Sequence, residues 1–343
     1  PVGQDGEGRS IGVRERKRRV APAEDGLPAR AQGRRRVAQP DLDLELAGRT
    51  QATRQAGALI HARGESPGSA VRGAGRGLDP ADIRVIDGDS DRVAFGIGTM
   101  GSRSTVIGGS ALHNASIKIE EKARKIAAHQ LEASEADIEF EDGIFRVSGT
   151  DREISLKDVA KASFLPAKLP PGTEPGLFET ATFAPKQDTY PNGSHVCEVE
   201  IDPDTGTVEI LGYKVVDDVG IMINPTIVKG QIHGGIAQGV GQILMEQVAY
   251  DPQSGQLLSG SFMDYAMPRA DNFSDMEIAS NEVPTQRNPL GVKGAGEAGT
   301  VGAMPALMNA IMNALSDVGV TELDMPATPD RVWRAIRDAG DKA

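Results

Sequence analysis

Residues 104–130 carry the clearest hydrophobic pattern in the chain, because apolar side chains return there mostly at three- and four-residue steps. This pattern predicts a long amphipathic helix. Three further helices are predicted at 225–246, 301–316 and 329–338. The last begins with Pro329, which suits the first helical position because its φ is already helical and its missing N–H would have no partner there.

Strands are predicted where apolar and polar residues alternate about a turn signal. Residues 138–149 alternate about Asp142-Gly143, which favours a two-residue hairpin, and residues 195–220 and 247–260 repeat this design with longer turns. Helical and strand segments are grouped along the chain rather than alternating. We therefore predict an α+β fold of β-hairpins, antiparallel sheet and packed helices, and not a doubly wound sheet.

A proline-rich link at 166–175 is predicted to separate two lobes. The first lobe spans 79–170 and opens with a short strand at 83–86, which is closed by an Asp-Gly-Asp turn signal. The second lobe spans 176–343. It contains most of the predicted helices and the longer hairpins.

Residues 1–78 form a third region, which is rich in Arg, Ala and Gly. The first 80 residues hold 15 Lys and Arg, 14 of them Arg, against 10 Asp and Glu, and they contain no Phe, Tyr or Trp. Two explanations remain open: a disordered basic tail, or an out-of-frame translation of a GC-rich gene. A nucleic-acid-binding arm has less support, because no aromatic residues are interleaved for base stacking. We assign no function to this region.

Composition argues against several classes of protein. The net charge is −12, and residues 81–343 hold 22 Lys and Arg against 39 Asp and Glu, which argues against a nucleic-acid partner. The single cysteine, Cys197, excludes an internal disulfide and fits a reducing compartment. No run approaches the roughly 18 apolar residues that cross a membrane. We expect a cytoplasmic protein without membrane contact, and the missing initiator Met suggests a fragment.

The first of two glycine-rich loops, residues 95–104, contains a GxGxxG sequence that opens the helix at 104–130. A dinucleotide-binding fold needs a second parallel strand with an acidic residue about 20 positions later, where the helix is still predicted to run. An NAD-dependent dehydrogenase therefore stays only an alternative. Free N–H groups at the helix start, with Ser102, Arg103 and Ser104 as further donors, favour a phosphate-bearing ligand. The simpler alternative is a tight turn with Ser104 as the helix cap.

The second glycine loop, residues 288–300, also precedes an apolar helix. Its Lys293 offers a cation to the same anionic ligand, and its Glu297 is a carboxylate among small residues that leave it open. The simpler alternative makes Glu297 a first-turn residue favoured by the helix dipole. Glycines within 230–242 each cost a helix about 1 kcal/mol relative to Ala, which close packing or ligand contact must offset. The histidines show no zinc-binding spacing, and no GxSxG motif is present.

Five collinear motifs carry a resemblance to a known family. They are DPADIRVIDGDSD, GIGTMGSRS, PNGSHVCEVEIDPDTG, VVDDVGIMINPTIVKGQIHGGIAQGVGQ and EVPTQRNPLGVKGAGEAG. Together they resemble the C-terminal half of the large, molybdopterin-binding subunit of the xanthine dehydrogenase and aldehyde oxidase family, which includes carbon monoxide dehydrogenase-like members. The resemblance covers most of the chain after the first 78 residues.

The resemblance implies a molybdenum–molybdopterin cofactor, with or without a cytosine dinucleotide extension. The protein would bind the pterin and the phosphates of the cofactor and would supply no ligand to the metal. Six residues would contact the cofactor: Gly101, Ser102, Arg103, Ser104, Gln231 and Lys293. Glu297 would be the catalytic base, accepting a proton during oxidative hydroxylation of an aldehyde or N-heterocycle with water.

The resemblance also implies partners, namely an iron–sulfur subunit and an FAD-binding subunit that remove electrons from molybdenum, in a homo-oligomer of the heteromer. It implies a small-molecule substrate and no iron–sulfur or flavin site in this chain. Family subunits are more than twice this length, and their upstream domains, which supply further cofactor and substrate contacts, do not precede residue 78. The copper-carrying cysteine of carbon monoxide dehydrogenases belongs to that part, so carbon monoxide oxidation is not expected. A non-catalytic cofactor-binding scaffold remains the alternative.

Overall fold

The computed structural model describes residues 99–341 apart from Ser274, together with Ile86, Asp89 and Asp91. All of these belong to one unit of the chain, Asp43–Ala343. The expectations for residues 1–78 lie outside the described residues, as does the expected strand at 83–86 apart from Ile86. Among the residues described, no helix is both long enough and apolar enough to span a membrane.

The long helix predicted from the apolar spacing is confirmed, with one irregularity at its start. Thr105–Gly109 form a π-helical turn, and α1 then runs over Ser110–Gln130. Its apolar stripe is buried, including Ala123 and Ile126, which have no exposed surface. Because α1 continues through the positions where a dinucleotide-binding fold requires a second parallel strand, the chain does not adopt that fold here.

A small antiparallel sheet and a short helix pack against α1. The elements are β1 (Ile138–Glu141), β2 (Ile144–Val147), β3 (Glu153–Ser155) and α2 (Leu156–Ala162). The strands lie in the order β1-β2-β3. Asp142 and Gly143 both have positive φ, as a two-residue hairpin turn requires, so the hairpin predicted there is confirmed. Phe145 is fully buried in the core formed by this sheet and α1.

A second sheet and three helices form the larger core. The elements are β4 (Asn192–Ile201), β5 (Val208–Asp218), α3 (Pro225–Leu244), β6 (Met276–Ser280), α4 (Ala298–Ser316) and α5 (Pro329–Gly340). Single 3₁₀ turns lie at Glu135–Asp137, Pro166–Lys168 and Ala270–Asn272. β4 and β5 form the hairpin that the alternation predicted, with an irregularity between Glu198 and Val199.

Two details of the second sheet differ from the sequence prediction. β6 pairs with β5 in parallel, because the long connection that contains α3 returns the chain in the same direction. The hairpin expected at 247–260 is reduced to a single bridge between Tyr250 and Leu257. Its apolar side chains, among them Val248 and Leu258, remain exposed, so the alternating pattern there has no core face to stabilise strands.

Glycines let α3 and α4 approach each other closely. A Cβ at Gly235 would lie 2.8 Å from the backbone nitrogen of Thr300, and one at Gly239 would lie 2.8 Å from the Cβ of Ala303. The hydroxyl of Thr300 donates a hydrogen bond to the carbonyl oxygen of Gly235 at 2.9 Å. Backbone contact between the two helices thus offsets the cost of glycine in α3, and it fixes where α4 begins.

The α+β class predicted from the sequence is confirmed. Two hydrophobic cores accompany it, one under α1 and the small sheet, and one between the β4–β5 face and helices α3, α4 and α5. The lobe boundaries at 79–170 and 176–343 stay a prediction.

Gly299→Ala is expected to destabilise the protein. The added Cβ would overlap the carbonyl oxygen of Ile232 and lie 3.0 Å from the nitrogen of Ile236, and neither backbone atom can move without moving α3. We expect the free energy of unfolding, measured by urea denaturation, to fall by roughly 1–3 kcal/mol.

Gly234→Ala is the matched control. Gly234 lies one residue before the contact on α3, and its added Cβ would have no atom within 4 Å. This variant should be neutral or more stable by up to about 1 kcal/mol, because Ala is the better helix former. Equal losses in the two variants would contradict the close-packing explanation.

Candidate active site

The two glycine loops meet at Ser102. Gly101 and Ser102 both have left-handed backbone angles, with φ of 60° and 51°. For a serine this conformation costs of order 1–3 kcal/mol, which the surrounding structure must offset. A Cβ at Gly294 would lie 2.5 Å from the carbonyl oxygen of Ser102, and one at Gly296 would lie 3.2 Å from its Oγ. Glycine in the second loop therefore makes room for Ser102 of the first.

Glu297 is joined to the first loop by a hydrogen bond. The Oγ of Ser102 donates to Oε2 of Glu297 at 2.7 Å, across 195 residues of sequence. Glu297 is the N-cap residue of α4, yet its side chain makes no capping hydrogen bond. Glu297 still lies at the start of the helix, as in the simpler alternative, but its side-chain hydrogen bond is with the first loop and not with the helix backbone. Its Oε1 atom has no hydrogen-bond partner within the described part of the chain.

A cavity of about 580 Å³ lies on one side of Ser102. Glu297 and Arg103 line it together with Gly101 and Ser102. His195 and Asp217 from the β4–β5 hairpin also line it, along with the irregular segment before β4 and the first residues of β4. A single space therefore brings the proposed base next to the proposed anion-binding loop.

A second, smaller cavity of about 230 Å³ lies on the other side of Ser102. Ser104, Gln231, Lys293 and Gly296 line it together with Ser102. The amide oxygen of Gln231 would lie 3.4 Å from a Cβ at position 296, so a side chain there would fill the space beside the amide. All seven residues singled out from the sequence thus border one of two adjoining cavities, and Ser102 borders both.

The two donors that follow Ser102 are placed differently. Arg103 is partly exposed in the larger cavity, and no carboxylate of the described residues forms an ion pair with its guanidinium. Ser104 precedes the π-helical turn but makes no capping hydrogen bond to the backbone. Its hydroxyl lies 2.9 Å from that of Thr99 instead. The simpler alternative, in which Ser104 caps the helix, is therefore not what the structure has.

Lys293 already has a partner inside the protein. Its ammonium group donates to Oδ2 of Asp218 in a largely buried ion pair. Burial raises the pKa of Asp218, but the hydrogen bonds from Lys293 and from the backbone N–H groups of Gly220 and Val283 outweigh it and hold that pKa below its usual value. The charge of Lys293 is therefore neutralised within the chain, which was not expected from the sequence. Its direct contact with an anionic ligand stays a prediction.

Three polar residues in or next to the wall of the larger cavity were not identified as site residues from the sequence. His195 on β4 lies between Tyr213 and Asp217 of β5, with Nδ1 at 2.8 Å from the tyrosine hydroxyl and Nε2 at 3.3 Å from Oδ1 of Asp217. The alternation of the two strands placed these residues on one face. The strand register, in which Gly193 faces Asp217 and Cys197 faces Tyr213, was the missing information.

Cys197 lies on the same face of β4, opposite Tyr213. Burial raises the pKa of its thiol to about 11, so the thiol is protonated at neutral pH. Across the residues that the structure describes, no group of three or more His, Cys, Asp or Glu side chains could hold a metal ion.

Comparison with known proteins places these motifs in one family. A family model described as a molybdopterin cofactor-binding domain matches residues 75–274. The chain is 42% identical over 263 residues to the nicotine 6-hydroxylase large subunit of Paenarthrobacter nicotinovorans. It is 39% identical over 263 residues to the carbon monoxide dehydrogenase large chain of Hydrogenophaga pseudoflava. Each match covers 76% of this chain and 32% of the relative.

Solved structures show the same similarity in three dimensions. Quinoline 2-oxidoreductase from Pseudomonas putida 86 matches with a TM-score of 0.73 and 35% identity, covering 80% of this chain and 35% of that one. Carbon monoxide dehydrogenase from Oligotropha carboxidovorans matches with a TM-score of 0.75 and 33% identity, covering 83% and 37%. The chain therefore spans about a third of the length of the relatives that it matches.

Lys293→Met is expected to destabilise the protein in a pH-dependent way, because it leaves Asp218 buried without its ion-pair partner. At pH 7 the free energy of unfolding should fall by about 3–5 kcal/mol. Because the pKa of Asp218 is lowered in the folded state, the stabilisation is present above the ordinary carboxyl pKa and is lost as the pH falls through the lowered one. Urea denaturation at several pH values should show a difference from wild type that shrinks in acid.

Lys214→Met serves as the control, since the pair of Lys214 with Glu277 is about two-thirds exposed at both ends. It should change the free energy of unfolding by no more than about 0.5 kcal/mol. A loss at Lys293 that does not depend on pH would argue against an electrostatic origin.

Proposed function

The chain belongs to the family of molybdopterin cofactor-binding domains, and from this membership we propose that it is part of the large subunit of a molybdenum hydroxylase. The proposed reaction is the oxidative hydroxylation of an aldehyde or an N-heterocycle, with water as the oxygen donor. The relatives support this class, because they include a nicotine 6-hydroxylase and a xanthine dehydrogenase subunit. Glu297 is the proposed general base.

One observation carries the proposal: the carboxylate of Glu297 lines the larger of two cavities that both border Ser102, and the hydroxyl of Ser102 holds it by a hydrogen bond. The smaller cavity has hydroxyl and amide groups in its wall, from Ser104 and Gln231. The larger one holds the carboxylate and the guanidinium of Arg103. Such an arrangement suits an extended polar cofactor in contact with a reaction space.

The residues present fit a molybdopterin cofactor. Gly294 and Gly296 let the second loop lie against Ser102, and a side chain at position 296 would fill the space beside the Gln231 amide in the smaller cavity. Arg103 offers a cation to an anionic group. Ser102, Ser104 and Gln231 offer hydrogen bonds. We propose Gly101, Ser102, Arg103, Ser104 and Gln231 as direct contacts of the cofactor, with Lys293 shaping the wall through its pair with Asp218.

Glu297 suits proton transfer because only one of its oxygens is engaged within the described residues. Ser102 donates to Oε2 and thereby fixes the orientation of the carboxylate, which leaves Oε1 as the acceptor. When bound, the cofactor supplies a redox centre that takes two electrons from the substrate. Glu297 accepts at Oε1 the proton that water must lose when it becomes the oxygen donor. Its exposed position lets the proton return to solvent.

Electron transfer implies further subunits. The whole chain contains one cysteine, whereas iron–sulfur clusters are held by several cysteine thiolates. The clusters that would take electrons from the proposed centre are therefore held outside the residues of this sequence. We propose an iron–sulfur subunit and an FAD-binding subunit as partners, and a homo-oligomer of this assembly. The extension of the cofactor by a cytosine dinucleotide and a cytoplasmic location belong to the same proposal.

Glu297→Gln tests the proposal in the full-length protein loaded with cofactor. Gln keeps the volume and still accepts the hydrogen bond from Ser102, but it cannot take up a proton. Turnover of an aldehyde and N-heterocycle panel with an electron-accepting dye should fall at least about a hundredfold. Molybdenum content, measured by mass spectrometry, should stay near that of wild type.

Either of two results would count against this assignment. Retention of most turnover in Glu297→Gln would show that the carboxylate is not the base. Loss of molybdenum in proportion to activity would make the residue structural. Molybdenum bound by the wild-type protein without turnover of any substrate in the panel would favour the non-catalytic scaffold.

Arg103→Ala is expected to lower cofactor occupancy before it changes catalysis, because the proposed task of Arg103 is to neutralise an anionic part of the cofactor. Molybdenum content should fall, while turnover per bound molybdenum stays within a few-fold of wild type. Arg334→Ala provides the control, since the pair of Arg334 with Asp330 is about two-thirds exposed on α5. Full molybdenum content in Arg103→Ala would overturn the assignment.

A further inference from the structure

Three buried polar side chains of the β4–β5 hairpin, two of which line the larger cavity, take no part in the proposed chemistry. His195, Asp217 and Tyr213 lie on the face of the β4–β5 hairpin that packs on α4. The imidazole is held at both nitrogens: Nε2 donates to Oδ1 of Asp217 at 3.3 Å, and Nδ1 lies 2.8 Å from the tyrosine hydroxyl. The ring therefore has one fixed orientation.

Because His195 and Asp217 are buried, breaking the hydrogen bond between them would be costly. The side chains of His195 and Asp217 are 5% and 3% exposed. The second carboxylate oxygen of Asp217 is buried and accepts no hydrogen bond from the described residues. The ring N–H is thus the side-chain donor that the described structure gives to this carboxylate, and a buried carboxylate without a donor is costly. Burial also raises the pKa of Tyr213, so its hydroxyl keeps its proton.

The ring of His195 rests directly on the backbone of α4. A Cβ at Gly302 would overlap three atoms of the imidazole. Gly302 follows Glu297 by five residues, which is about 7.5 Å along a helix. On another face of the same turns, α4 contacts α3 through Gly299 and Thr300. The start of α4 is therefore packed between the backbone of α3 on one side and the ring of His195 on another.

We infer that His195 is a positioning residue for Glu297. Its ring, fixed by Tyr213 and Asp217, sets the distance between the β4–β5 face and the first turns of α4, and so sets where the Glu297 carboxylate stands in the larger cavity. Both ring nitrogens are engaged within the protein, so the ring acts through its shape and rigidity and exchanges no proton with a ligand. The consequence for turnover rests on the proposed function, whereas the effect on α4 does not.

The experiment exploits the contact between Gly302 and the ring, in the assembled full-length enzyme with its cofactor. Gly302→Ala puts a methyl group where the rigid ring stands. His195→Gln keeps an N–H donor for Asp217 but replaces the ring by a flexible chain that can move aside. The double variant combines the two changes, and Gly234→Ala, with open space around its Cβ, is the matched control.

Two measurements are made on each variant. The first is kcat and KM for a panel substrate that turns over, together with molybdenum content. The second is amide hydrogen exchange in the first turns of α4, at residues 301–304, which reports on the helix without any turnover.

Gly302→Ala should lower kcat roughly ten- to a hundredfold with KM changed less than about threefold, because a small misplacement of a reacting group carries that cost. Exchange at 301–304 should become faster. His195→Gln should lower kcat about three- to tenfold, less than Gly302→Ala, and should make exchange at 301–304 faster, because a flexible chain in place of the ring holds the start of α4 less firmly. The double variant should recover both kcat and slow exchange relative to Gly302→Ala.

Two results would overturn the inference. One is wild-type exchange and kcat in either Gly302→Ala or His195→Gln. The other is a double variant no better than Gly302→Ala, which would mean that the imidazole itself is needed chemically. A failure of the proposed function has a different signature, namely undiminished turnover in Glu297→Gln while exchange in Gly302→Ala still increases.

Discussion

The hydroxyl of Ser102 reaches the carboxylate of Glu297 across 2.7 Å, and it can do so because glycine occupies positions 294 and 296. Ser102 itself adopts a left-handed backbone angle that is unfavourable for a serine. The unfavourable backbone angle of Ser102 in the first loop and the glycines of the second loop are therefore both needed for this contact. Ser102 borders both cavities, and its bond to Oε2 leaves the other carboxylate oxygen of Glu297, in the larger cavity, without a partner among the described residues.

The position of that contact depends on how α4 is held. Glu297 is the last residue before α4, so any displacement of the helix moves the carboxylate. Backbone contact with α3 fixes one side of the helix start, and the His195 ring fixes another. Precision at the site therefore comes from packing one or two turns away, on elements that are rigid because they are buried.

Local sequence patterns predicted the elements but not their contacts. The apolar spacing gave α1, and Asp142-Gly143 gave the first hairpin, because both signals depend on neighbouring residues. The ion pair of Lys293 with Asp218 and the network around His195 join residues distant in sequence or on separate strands, so they depend on strand register and helix packing. The hairpin predicted at 247–260 forms only a single bridge, because its alternating apolar side chains have no core surface to pack against.

The glycines of α3 have a consequence for how the site comes into being. A helix containing Gly235 and Gly239 has little stability by itself, since each glycine weakens it by about 1 kcal/mol relative to Ala. Its closest contacts, with Gly299 and Thr300, exist only once α4 is in place. The two helices therefore stabilise each other. Gln231 on α3 and Glu297 before α4 thus depend on the same helix contact, so that a change which loosens this contact is expected to disturb both cavities.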